Sequence, residues 1–409
     1  MFDAIALVVA LTALLAWVNS RFVRLPTTIG VLAIALITSL GLVGLSRLGV
    51  SALAVREREL LSSIDFTDVL LQGMLSLLLF AGALHVDLRR LASFRWQIAT
   101  LAVLGTVAST VLVGFGTWLA LEQIDVALPL AFALVFGALI SPTDPIAVLG
   151  ILKTTQVPHS LEITIAGESL FNDGVGIVVF TLLLAMIAQD TTPTFAHGVA
   201  LFAREALGGA VYGIAIGFVA YRMVKSIDDS HVEILVTLGL VLGGYALAHE
   251  LHVSGPIAMV AAGLLIGNKG RRTAMSDRTR DALDTFWKVI DETLNAVLFV
   301  LIGLEVILIE FPARWLGAAL VVIAVTIAAR AVTVGLPVAA ARSWFALPRG
   351  SARVLTWGGV RGGISVALAL SLPPGREHEL VVMLTYCVVV FSVLGQGLTI
   401  APLVRRVVK

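Results

Sequence analysis

Thirteen mostly apolar runs follow one another along the chain, near residues 2–19, 27–46, 67–86, 96–120, 127–152, 161–188, 199–222, 232–250, 254–268, 288–309, 314–341, 352–371 and 379–404. Most approach the ~20 residues that carry a helix across the hydrocarbon core of a bilayer. Lipid offers no hydrogen bonds, so a spanning segment must satisfy its own backbone as a helix or close into a barrel. A barrel requires polar and apolar residues to alternate, and these runs are unbroken. Composition agrees: 58% of the 409 residues are hydrophobic and 13% charged, against ~45–50% and ~25% in soluble domains. A soluble enzyme, a disordered tail and a nucleic-acid binder are thereby excluded. The net charge of +1 leaves no basic face to neutralise phosphates. The single cysteine, Cys387, excludes a disulfide framework and a cysteine-based metal site. The expected fold is an all-α multi-pass membrane protein with thirteen transmembrane helices.

The cationic residues orient it. Of the 28 Lys and Arg, twenty fall in one set of connecting segments and six in the other. Arg330 and Arg361 fall inside runs. The positive-inside rule then places the N-terminus outside and the C-terminus in the cytoplasm. Met1-Phe2-Asp3 carries no positive charge, so the first run reads as a retained helix rather than a signal peptide. The longest connection, around 268–287, reads as a basic cytoplasmic loop that helps set topology. Residues 1–409 thus form a single transmembrane domain, with no soluble regulatory domain expected.

Two runs are broken in the middle. The fifth contains Ser141-Pro142-Thr143-Asp144-Pro145. Each proline removes a backbone donor and clashes with the preceding turn, and each pushes the residue before it out of helical geometry. The twelfth contains Trp357-Gly358-Gly359-Val360-Arg361-Gly362-Gly363, a poor helix by propensity. If runs 1–6 and 8–13 are inverted repeats, the breaks occupy equivalent places, which is where transporters build binding sites. Half-helices present positive N-termini and negative C-termini to one another at mid-depth. Asp144 and Arg361 carry the charges to offset those ends.

Ionisable groups within spans are usually functional. The sixth run reads Gly167-Glu168-Ser169-Leu170-Phe171-Asn172-Asp173-Gly174. Counting from about residue 161, Asp173 lies ~18 Å along a helix rising 1.5 Å per residue, near mid-bilayer. Ser169 and Asp173 share one face, and Glu168 and Asn172 the adjacent one. A hydroxyl, an amide and a carboxylate are hard oxygen ligands suited to alkali cations and protons rather than zinc or copper. The deep acids are Asp144, Glu168 and Asp173; the deep bases are Arg330 and Arg361. If each arginine takes one acid, one carboxylate is left over. A lone buried carboxylate must be protonated or bind a cation. One site with two mutually exclusive neutral occupants is the physical requirement for exchange, and the count predicts one proton for one monovalent cation. Glu305 falls near the outer end of the tenth run. Asp291, Glu292 and Asn295 fall near its inner end as mouth-lining or structural residues.

Three of these segments, 141–148, 167–174 and 357–362, resemble the signatures of NhaP-type sodium/proton antiporters of the cation:proton antiporter-1 family, which also holds the animal sodium/hydrogen exchangers. The resemblance spans essentially the whole chain. It implies an NhaA-like fold: a homodimer whose protomers have a core bundle of spans 4–6 and 11–13 and an interface bundle of the remaining spans, working by an elevator-like movement. It further implies that Asn172 and Asp173 form the family's Asn-Asp pair, with Asp173 binding Na⁺ or H⁺. Ser169 contributes a hydroxyl ligand and Thr143 a backbone carbonyl. Asp144 and Arg361 become the charges at the helix crossing, and Glu168 and Arg330 a structural ion pair. Relatives of this Asn-Asp type are generally electroneutral. Some carry an acidic ligand in the third span, where this chain has Ala81; water would fill that place. His85 and Asp87 fall at the cytoplasmic end of the same span.

The reading that follows is a secondary antiporter of the cell membrane exchanging Na⁺, and Li⁺, for H⁺. Its partners are monovalent cations, protons, lipid and a second copy, with no cofactor and no nucleic acid. A K⁺/H⁺ antiporter is the alternative that the ligand set leaves open. A channel would show a repeated filter sequence. An intramembrane hydrolase would show Gly-x-Ser-x-Gly or His-Glu-x-x-His. His249 and His252 flank Glu250 at the wrong spacing.

Overall fold

The computed structural model describes residues 2–47, 69–144, 148–149, 158–189, 195–309 and 311–407. Among the described residues every regular element is helical. Among the described residues, eight helical stretches are long and apolar enough to cross a membrane: Ile5–Val23, Thr27–Leu45, Arg95–Glu122, His159–Ile187, Ala200–Val224, Ser230–Glu250, Trp315–Ala340 and Arg376–Val407. The other apolar runs hold the shorter helices Leu75–Leu84, Leu130–Ile140 and Gly255–Leu265, the half-helices Ser351–Trp357 and Gly363–Leu370, and the long helix Asp277–Glu305. Large apolar side chains such as Ile37 and Leu320 stand about 70% or more exposed on the outer faces. Such faces require lipid rather than water.

Two apolar cores organise the helices. One joins Leu130–Ile140, Gly363–Leu370, Arg376–Val390, Thr27–Arg47 and the C-terminal half of Asp277–Glu305. The other joins Leu75–Leu84, Phe195–Val224, Ser230–Glu250 and Gly255–Leu265 around Phe80 and Trp287, whose ring centroids lie 4.7 Å apart. The helix His159–Gln189 serves both: Leu161, Ile165 and Phe180 enter the first core and Leu170 the second. The segment Glu168–Asp173 therefore sits where the two cores meet.

The expected loop at 268–287 is mostly helix. Ile266–Gly270, Arg271–Thr273 and Asp277–Glu305 leave only 274–276 outside regular structure. Ser276 caps the last of these by accepting the Thr279 N–H, and Asp277 stands at its positive end. The reason is amphipathicity: Leu283 and Trp287 are fully buried while charged residues cover the other face. Averaged hydropathy erases such a stripe, whereas helical periodicity keeps it.

Candidate ion-binding site

The first half-helix, Leu130–Ile140, ends at Ser141, and Thr143 and Asp144 are not helical. Pro145, the second proline of the break, lies outside the described residues, as do 150–157. The twelfth run unwinds over 358–362, between Ser351–Trp357 and Gly363–Leu370. The two unwound segments meet directly: the Asp144 N–H donates to the Val360 carbonyl at 2.7 Å.

Arg361 is buried in this crossing. Its Nη1 donates to the carbonyls of Ser141 at 2.5 Å and Pro142 at 3.0 Å, which carry the partial negative charge at the end of the first half-helix. Its backbone N–H donates to Ser392 Oγ at 2.8 Å, and Ser392 Oγ donates to Gln396 Oε1 at 2.7 Å. Both belong to a π-helical turn, Phe391–Gln396. Such turns are rare and tend to occur at functional sites. A half-helix C-terminus thus supplies negative charge to Arg361 through backbone carbonyls.

Asp144 occupies the opposite position, beside the N-terminus of Gly363–Leu370. A Cβ added to Gly362 would stand 2.6 Å from Asp144 Oδ2, and one added to Gly359 would stand 2.7 Å from Arg330 Nε. These two glycines let charged side chains reach backbone that any other residue would shield. Gly362→Ala is accordingly expected to destabilise the protein by about 1–3 kcal/mol through overpacking. Gly317→Ala, where nothing lies within 4 Å, should stabilise it by a few tenths to ~1 kcal/mol through helix propensity. Opposite shifts of the melting midpoint in detergent test the pair.

Glu168 and Arg330 form a bidentate pair, Nη1 to Oε1 at 2.5 Å and Nη2 to Oε2 at 3.0 Å. Both side chains are buried, and Arg330 Nε also donates to the Leu355 carbonyl at 3.3 Å.

One turn along, Asn172 clamps the unwound segment to the helix. Its Nδ2 donates to Thr143 Oγ1 at 2.9 Å, and its Oδ1 accepts the Thr143 N–H at 3.4 Å. Thr143 Oγ1 and Ser169 Oγ share a further bond of 3.0 Å. Asp173 follows, 9% exposed. Among the described residues, no hydrogen bond or ion pair reaches its carboxylate. It lines a cavity of about 430 Å³ with Thr143, Asp144 and Ser365. The same cavity is bordered by the exposed residues His85, Lys288 and Glu292, so the buried carboxylate communicates with one surface of the protein. Ala81 also lines it, and no carboxylate comes from that position. Asp291 and Asn295 are in the lining too, joined by a 3.0 Å bond from Asn295 Nδ2 to Asp291 Oδ1. Glu305 is buried away from this cavity.

Sequence reasoning missed Ser392 and Gln396. It searched the spans for ionisable groups, and both are neutral. A glutamine between two glycines, Gly395-Gln396-Gly397, inside an apolar run was the available signal.

Comparison with known proteins accords with this geometry. A family model described as sodium/hydrogen exchanger, transmembrane, matches residues 7–406. The chain is 50% identical over 411 residues to the Na⁺/H⁺ antiporter NhaP of Pseudomonas aeruginosa, covering 100% of this chain and 97% of that protein. It is 35% identical over 378 residues to the Na⁺/H⁺ antiporter NhaH of Halobacillus dabanensis, covering 90% and 91%. The solved structure of the sodium proton antiporter MjNhaP1 from Methanocaldococcus jannaschii at pH 8 matches with a TM-score of 0.79 over 98% of both chains, at 19% identity, which shows a shared fold. The chain belongs to the transmembrane sodium/hydrogen exchanger family.

Proposed function

We propose that this chain exchanges Na⁺ for H⁺ across the cell membrane, the two ions taking turns at Asp173. The observation that carries this reading is a buried carboxylate without a protein partner among the described residues, at a cavity lined by hard oxygens. A charge so placed is costly when bare, and a proton or an alkali cation neutralises it equally well. Thr143 and Ser169 supply further oxygens, and Asn172 holds Thr143 in place. Li⁺, another hard monovalent cation, is accepted by the same set. Asp144 and Arg361 compensate the half-helix ends, so the crossing keeps its shape whichever ion is bound. Glu168 and Arg330 neutralise each other and take no part in ion turnover. One carboxylate then carries one positive charge in each direction, and exchange is electroneutral.

The wider architecture in this proposal is a homodimer of thirteen-span protomers with N-terminus outside and C-terminus in the cytoplasm. Spans 1–6 and 8–13 are inverted repeats, and spans 4–6 and 11–13 form the moving core. The contact between the two broken helices, each the fifth run of its half, supports this layout. The cavity bordered by His85, Lys288 and Glu292 then opens to the cytoplasm, and alternating access moves Asp173 to the other face.

Competition at one carboxylate makes each ion weaken the binding of the other. At low pH the site holds a proton and excludes Na⁺; at high pH the return step lacks protons. The pH profile of exchange in proteoliposomes is therefore bell-shaped. Its acidic limb moves to lower pH by up to about one unit per tenfold rise in Na⁺, the limit for one-for-one competition. A profile indifferent to Na⁺ overturns the single competitive site. A rate that follows a valinomycin-set potential overturns electroneutrality.

A further inference from the structure

On the outer face of the same region lies a groove of about 770 Å³, away from the ion pathway. Its walls are Ala331–Gly335 with Leu336, the half-helix Ser351–Trp357, and Gly397–Val407. The last two lie side by side. At one end, a Cβ on Gly350 would stand 2.3 Å from the Val407 carbonyl. At the other, Trp357 Nε1 donates to Thr399 Oγ1 at 2.8 Å. The floor between these ends is apolar, with Leu336, Pro402 and Leu403 in the lining.

Charge is confined to one end. Arg353, in the first turn of its helix, and Arg406, in the last turn of its own, both line the groove and are exposed. No acidic residue lines it, and neither arginine has an ion-pair partner among the described residues. From Arg406 to Thr399 is seven residues, ~10 Å of helix. A pair of cations thus stands at the edge of the spanning region, with an apolar trough running inward from them.

We propose that this groove binds an anionic phospholipid, its phosphate between Arg353 and Arg406 and an acyl chain along Leu336 and Leu403. Arginine matches phosphate geometry with its planar fork of donors. The trough has the size of pockets that hold small molecules, ~300–1,000 Å³. A soluble anion would use the arginines and leave the apolar floor bare. A zwitterionic lipid would use the floor and set its choline against two cations. Only a lipid with net negative charge satisfies both ends.

The test is phosphatidylglycerol binding to the purified full chain in detergent, read by native mass spectrometry. Phosphatidylcholine and inorganic phosphate serve as separate arms. Each arginine at a headgroup contributes on the order of fivefold in affinity, so R353Q/R406Q should weaken phosphatidylglycerol about 30-fold. The control R349Q/R405Q removes the same charge from exposed positions outside the lining and should leave binding unchanged. Equal loss in both double variants overturns the site and leaves only diffuse charge attraction. Equal retention of phosphatidylcholine by the unaltered protein, or equal binding of inorganic phosphate, overturns the anionic lipid as occupant. A shift from dimer to monomer in R353Q/R406Q alone also overturns it, by making the face an interface between copies. These readouts concern binding, so they stand or fall apart from the ion exchanged.

Discussion

Asp173→Asn is expected to reduce Na⁺-driven proton flux to the background of empty liposomes, a loss of about 100-fold or more, while the protein still folds. The substitution preserves side-chain volume and removes both the titrating proton and the negative charge. An amide in the same place offers one oxygen and no charge, so neither ion is bound strongly enough to be carried. Folding should be spared because the carboxylate makes no hydrogen bond or ion pair to lose among the described residues. Burying an uncompensated charge costs free energy, so the neutral variant should melt at the same temperature as the unaltered protein or above it. That combination, activity abolished and stability unharmed or improved, marks a residue kept for function at the expense of stability. Ser169→Ala should be milder, since it removes one of several oxygens and leaves the charge. Retained Na⁺-dependent flux in Asp173→Asn, assayed at matched protein density, would remove Asp173 from the mechanism.

Much of this site is legible in the sequence, because charges are so costly in lipid that a short list remains once the spans are drawn. Ser169 and Asp173 follow from helical spacing alone, and Pro142 and the glycines around Arg361 mark the breaks. Partner identity is less legible. Charge counting gives Arg361 a sign but not the Ser141 and Pro142 carbonyls that its Nη1 reaches. The partial charges there belong to backbone, which every sequence has and no residue letter reports. Ser392 and Gln396 escape for a related reason. Neutral polar groups are tolerated in many spans, and only the backbone N–H of Arg361 gives these two a purpose. The helix hidden in 266–305 is lost to averaging, since its charged face cancels the buried stripe of Leu283 and Trp287.

The buried pair Glu168–Arg330 should behave oppositely to Asp173. Glu168→Gln is expected to cost roughly 3–5 kcal/mol of stability, the range for breaking a buried pair by removing one partner. The cost arises mainly from what remains. Among the described residues, the Arg330 guanidinium then keeps only the Leu355 carbonyl as a hydrogen-bond partner. Arg330 and Arg361 line one small cavity, so losing Glu168 leaves two guanidinium groups beside it without that carboxylate. Arg330→Gln should be comparably harmful, because it strands Glu168 in the same surroundings. The double variant Glu168→Gln with Arg330→Gln removes both charges together, and two amides of suitable length can hydrogen-bond each other. It should therefore recover a large part of the loss, with a coupling energy within the ~0.5–3 kcal/mol seen for contacting residues or above it. Thermal melts of the four proteins in one detergent measure this coupling directly. Simple additivity would show that the two charges do not depend on each other. Recovery of stability together with Na⁺/H⁺ exchange would show that the pair holds the helices in place while Asp173, one turn away, does the ion chemistry.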